Sequence, residues 1–222
     1  MLATQTRVLG ADHLDTLNTV TNLADTLREC GKLAEAEVME RGVLAKMRAQ
    51  LGEAHPDTLL ATGNLGDTLI LRGAWVEAEA LARATLVGRV EALGAEHGDT
   101  LWSAVSLGEA LAGLGRRDEA LEAVRGGAAS CAAVLGAEHP RTLRARSVLG
   151  HVLSLGGGRG GEEGGGGKVA AEKAALAMLR ATHASQLRLF GPEHAETRRT
   201  DARLRAALLR DGGQQAAPRS VI

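Results

Sequence analysis

Aromatic residues are almost missing: the 222-residue sequence contains Trp75, Trp102 and Phe190 and no tyrosine. A core without aromatics must be filled by Leu, Ala and Val, which suits closely packed helices and poorly suits a sheet. Cysteine is nearly as scarce. Cys30 and Cys131 stand far apart without a CxxC partner, which argues against a disulfide framework and favours a reducing compartment, so the expected location is cytoplasmic. Charge of one sign is not in excess, with 26 basic and 27 acidic residues. No strong field invites nucleic acid or an acidic membrane surface. No run of about 18 apolar residues occurs, and the start MLATQTRVLGADH has no apolar leader segment. Neither a membrane span nor a secretory signal is expected.

What the chain does have is a repeat. Leu51-Gly52-Glu53-Ala54-His55-Pro56-Asp57-Thr58-Leu59 recurs as LGADHLDTL from Leu9, LGAEHGDTL from Leu93, LGAEHPRTL from Leu135 and FGPEHAETR from Phe190. The first three intervals are 42 residues and the fourth is 55, the excess matching the glycine-rich stretch Gly156 to Lys168. A fixed period in this range marks stacked supersecondary units in which each repeat touches its neighbours, giving one elongated array. The expected divisions are 1–8, the end of a preceding helix; 9–50, 51–92 and 93–134, three full repeats; 135–189, a fourth repeat with the insert 156–168 as a flexible loop; 190–211, a capping helix; and 212–222, a disordered tail. By register the chain starts inside a repeat, which suggests a truncated array.

Each unit reads as two helices. His55-Pro56-Asp57-Thr58 is a helix start, with proline at the first helical position and an acid complementing the dipole. Leu59, Leu65 and Leu69 follow at helical spacing, and Gly73 ends the helix. Small residues recur on the first helix at Ala24, Gly66, Gly108 and Gly150, and on the second at Ala36, Ala78, Ala120 and Ala175. Paired small positions let two antiparallel helices approach closely while flanking leucines interdigitate. Terminating glycines are expected at Gly31, Gly73, Gly115 and Gly157. Gly126-Gly127 should weaken the second helix of the third unit, and Arg205 at the small position of the last helix should face water.

Sites of chemistry do not assemble. Five histidines (His13, His55, His97, His139 and His194) share one phase, so stacking separates them by a repeat each, too far to share a metal. Gly164 to Lys168 lacks the spacing, the following Ser or Thr and the preceding strand of a phosphate loop. Cys30 sits at a helix end where the dipole opposes activation. Glu35, Glu37, Glu40 and Arg41 read as a solvated helix face. No catalytic residue, metal or cofactor is expected.

Leu-small-x-x-Leu, a turn glycine, and Glu35-Ala36-Glu37 or Glu77-Ala78-Glu79 together resemble the tetratricopeptide repeat. That repeat is usually roughly 34 residues long. The 42-residue form with LGxxHPxT is similar to the kinesin light chain subfamily, over roughly residues 9–210. The resemblance implies an all-α, right-handed superhelical solenoid of about four and a half antiparallel helix pairs, whose first helices line a concave groove for an extended peptide or partner helix. Carried over by position, the groove would use Asn18, Asn22, Asp25, Asn64, Asp67, Trp102, Glu109, Arg144 and His151. Asn22 and Asn64 match the family asparagine that can bond a peptide main chain. Trp102 is either an exposed anchor or packed on the neighbouring repeat. The light chains' heptad coiled coil is not found in this sequence. The expected function is a non-catalytic protein-interaction scaffold, with cargo or adaptor binding as the light-chain version. The alternatives are a regulatory or sensor array belonging to a larger enzyme or signalling protein, and a decaying duplicate. Uncapped repeat ends could also support self-association.

Overall fold

The computed structural model describes residues 2–156 and 165–215, and among these the regular structure is entirely helical. The chain divides into two compact units, Met1–Leu114 and Gly115–Ile222. The division falls inside the third repeat, between its two helices.

The first unit holds α1 (Leu2–Leu9), α2 (Leu14–Glu29), α3 (Leu33–Leu51), α4 (Pro56–Arg72), α5 (Trp75–Leu93) and α6 (Gly98–Gly113). Helix α1 lies against α2. Helices α2, α4 and α6 are neighbours, with α3 packed between the first two and α5 between the last two. The second unit holds α7 (Arg117–Leu135), α8 (Pro140–Ser154), α9 (Gly165–Phe190) and α10 (Ala195–Gln215). There α7 and α9 pack on α8, and α10 packs on both α8 and α9.

The first helix of each repeat starts on one device, whereas α3, α5 and α7 begin without a side-chain cap. His13, His55, His97, His139 and His194 stand at the N-terminal ends of α2, α4, α6, α8 and α10, and the Nδ1 of each accepts the backbone N–H two residues on, at 3.2 Å. Helix ends need glycine where the chain turns left-handed. Gly73 closes α4 with φ of 75°, letting Ala74 N–H donate to Leu69 O at 2.9 Å. The fourth terminating glycine is Gly156, with φ of 76°, one residue before the position expected; Gly157 lies outside the described residues.

The small positions are buried as the spacing predicts: Ala24, Ala36, Ala78, Ala120 and Ala175 have no exposed surface. At Gly150 an added Cβ would lie 2.9 Å from Leu179 Cγ, so glycine there is required by contact. At Gly66 the nearest atom would be Leu81 Cβ at 3.8 Å, which leaves room for alanine. The core of the first unit gathers Leu17, Val43, Leu44, Met47, Leu65 and Leu69, and that of the second includes Leu176, Leu179 and Ala207.

Two boundaries differ from the sequence reading. The last residues of the insert, from Gly165, belong to α9, and α10 runs through Gly212 and Gly213 to Gln215, beyond the expected end at 211. Glycine lowers helix propensity by roughly 1 kcal/mol without forbidding the helix. The rest of the expected loop and tail, 157–164 and 216–222, lies outside the described residues. Helix α7 is continuous across Gly126-Gly127. Arg205 is exposed and pairs with Asp201 at 2.8 Å.

Candidate binding groove

In the first unit the expected groove residues lie on α2, α4 and α6. Asn18 and Asn22 are exposed and Asn64 is half-buried. Other polar residues of these helices bond from one first helix to the next. Asp25 Oδ1 accepts from Arg28 Nη2 at 2.7 Å, and Arg28 Nη1 donates to the main-chain oxygen of Asn64 at 3.3 Å, which ties α2 to α4. Asp67 ties α4 to α6: Ser106 donates to its Oδ1 at 2.8 Å and the Trp102 indole N–H to its Oδ2 at 3.1 Å. Trp102 is therefore half-buried and hydrogen-bonded to the preceding repeat, the packed one of its two sequence readings. Glu109 is buried on α6.

Behind this row lies a group that the sequence reading misplaced. Glu40 is 3% exposed and so is not on a solvated face. Its Oε1 accepts from Thr68 Oγ1 at 2.9 Å and stands 4.0 Å from Arg28 Nη1, while its Oε2 is buried without a hydrogen-bond partner. Burial pushes its pKa up to about 7, against the Thr68 hydrogen bond and Arg28, with Asp25 and Asp67 adding to the rise. The Asp25 carboxyl is raised in the same way, mainly by burial and opposed by Arg28. The signal was present in the register: Glu40 aligns with Ala82, Val124 and Leu179, all core residues. Arg89 was missed likewise. It is 5% exposed, aligns with Met47 and Cys131, and donates to Asp99 O and Ser103 Oγ, each at 2.9 Å. Glu37 is partly covered and bonds to Arg41 and Arg72, and Arg41 also grips Glu77 at 2.6 and 2.7 Å.

In the second unit Arg144 is buried against α10, with Nε 3.9 Å from Glu196. His151 is half-buried, and its main-chain oxygen accepts from Ser154 at 2.7 Å. Ser147 accepts from Thr200 at 2.8 Å and from Arg203 at 2.9 Å, which fastens α10 to α8. Among the described residues no group of three His, Cys, Asp or Glu side chains could hold a metal, and no helix is long and apolar enough to cross a membrane. Cys30 is exposed and Cys131 buried, both as free thiols.

Helix pairs closed on small residues, in register with the 42-residue motif, give the chain a tetratricopeptide-like fold. Tetratricopeptide repeat family profiles match residues 57–125 and 16–57. The fold is similar to that of a Podosopora anserina putative kinesin light chain with nearly identical TPR-like repeats, at 23% identity over 91% of this chain and 90% of that one, with a TM-score of 0.62. A substituted form of that protein aligns with a TM-score of 0.61 at 23% identity, over 90% of this chain and 88% of that one. BtubC (BKLC) from P. vanneervenii aligns over 99% of this chain and 91% of its own at 14% identity, with a TM-score of 0.58. At these identities the likeness is one of fold. No curated protein matches the sequence.

Proposed function

We propose that this chain is a non-catalytic interaction scaffold, acting in the cytoplasm, that binds an extended peptide or partner segment along the first helices of its repeats. One observation carries the reading: the side-chain amides of Asn18, Asn22 and Asn64 make no hydrogen bond within the described chain, although the polar residues around them are extensively bonded. An amide offers a donor and an acceptor together, so two such side chains on neighbouring helices can bond a peptide main chain whatever its side chains are. A solvated polar helix face would suffice for solubility, but it does not explain amides at repeat-equivalent positions, Asn22 and Asn64, on adjacent helices.

The test is a comparison of the wild-type chain with an Asn22→Ala/Asn64→Ala variant, each immobilised and challenged with the same library of linear peptides. Binders that the wild type selects and the variant loses support the groove. Binders held equally by both place recognition elsewhere.

A further inference from the structure

Charge is divided unevenly between the units, although the whole chain is near neutral. Helices α2, α4 and α6 together carry seven acidic residues and two arginines. The equivalent helices of the second unit, α8 and α10, carry eight arginines against three acids. Of the two arginines on α2, α4 and α6, Arg28 is held by Asp25 and Arg72 by Glu37 on α3.

A cleft of about 200 Å³ opens in this unit where the start of α4, the end of α5 and the start of α6 meet. Its apolar wall includes Pro56, Leu60 and Leu93, the two leucines being 45% and 39% exposed. Asp57 and Asp99 also line it, and the Asp57 side chain is 44% exposed. Arg89, also in the lining, is buried and turned onto Asp99 O and Ser103. Apolar walls beside a carboxylate fit a side chain with an aliphatic stem and a cationic head. Lysine and arginine bury their stems on apolar surface while the charge stays near water.

We propose that this cleft seats a lysine or arginine of a basic partner segment lying on the first unit, its stem against Leu60 and Leu93 and its head at Asp57. The inference rests on the peptide-binding reading of the first helices and adds the chemistry of the partner. Complementary charge would also speed encounter and make binding sensitive to salt.

The experiment is selection of random linear peptides on the full chain, followed by a double-substitution cycle on the tightest binder. One arm is Asp57→Asn, checked for an unchanged thermal melt. The other replaces the peptide's basic residue with norleucine, which keeps the stem and removes the charge. Expected are selected peptides sharing a basic residue at one register, about tenfold weaker binding in each single arm, and little further loss when both are combined. Leu60→Ser, at an exposed position, should weaken the same peptides and retain the coupling to charge. Peptides that lose binding with Asn22→Ala/Asn64→Ala but share no basic residue, or ignore Asp57→Asn, overturn the inference and leave the groove standing. A library from which nothing binds overturns both.

Discussion

Histidine stands at each first-helix start, where Ser, Thr, Asp or Asn is the common cap. Its Nδ1 accepts an otherwise unpaired N–H, so the proton must sit on Nε2 when the cap is made. His55→Ala should lower stability by about 1 kcal/mol, and His55→Asn should restore most of it, read from urea midpoints at neutral pH. Glu40 gives a second prediction. In the unfolded chain its carboxyl releases its proton near 4.5, and in the folded chain near 7. Between those values the unfolded state binds fewer protons, so stability falls as pH rises from 4.5 to about 7 and levels off above. The loss is roughly 3 kcal/mol at full effect. Urea unfolding at about pH 5 and about pH 8 should show it, and Glu40→Gln should flatten the difference while Arg28, Asp25 and Asp67 remain around the site. A wild-type chain no less stable at the higher pH would contradict the assignment.

The helix pairs depend on how closely their backbones meet, and here glycines that look alike in sequence separate. Gly150→Ala would put a Cβ 2.9 Å from Leu179 Cγ, a side chain with no exposed surface, and should destabilise by about 1–3 kcal/mol. Gly126 lies inside α7 with nothing within 4 Å of an added Cβ, so Gly126→Ala should stabilise by up to about 1 kcal/mol. Thermal melts of the two variants beside wild type should move in opposite directions. Much at this scale was legible in the sequence. The small residues, the turn glycines and the histidine phase are periodic, and a period reports position in a helix pair. What stayed hidden was polar and non-periodic. Glu40 is a charged residue at a position that is apolar in the later repeats, and Arg89 stands where other repeats bury Met47, Cys131 and Gln186; reading charge above register placed Glu40 in water. Trp102 was ambiguous because its partner, Asp67, belongs to another repeat. The end of α10 was placed early because glycine was weighted as a stop.

Across the whole molecule the repeat specifies the fold class strongly and the partner weakly. Stacking uses the faces that recur, and these could be read directly. Recognition uses the faces that vary, where Asn22 and Asn64 give way to Ser106 and Val148 in the next repeats. The acidic first helices of one unit and the basic first helices of the other are likewise invisible in a net charge of −1. The measurement that tests the account most directly is calorimetric titration of a selected peptide into the wild-type chain and into Asn22→Ala/Asn64→Ala. Two main-chain hydrogen bonds at about 0.5–1.5 kcal/mol each predict a loss of about five- to a hundredfold in affinity, with the melt unchanged. Equal affinity for the two proteins would contradict the claim that the first helices hold the partner.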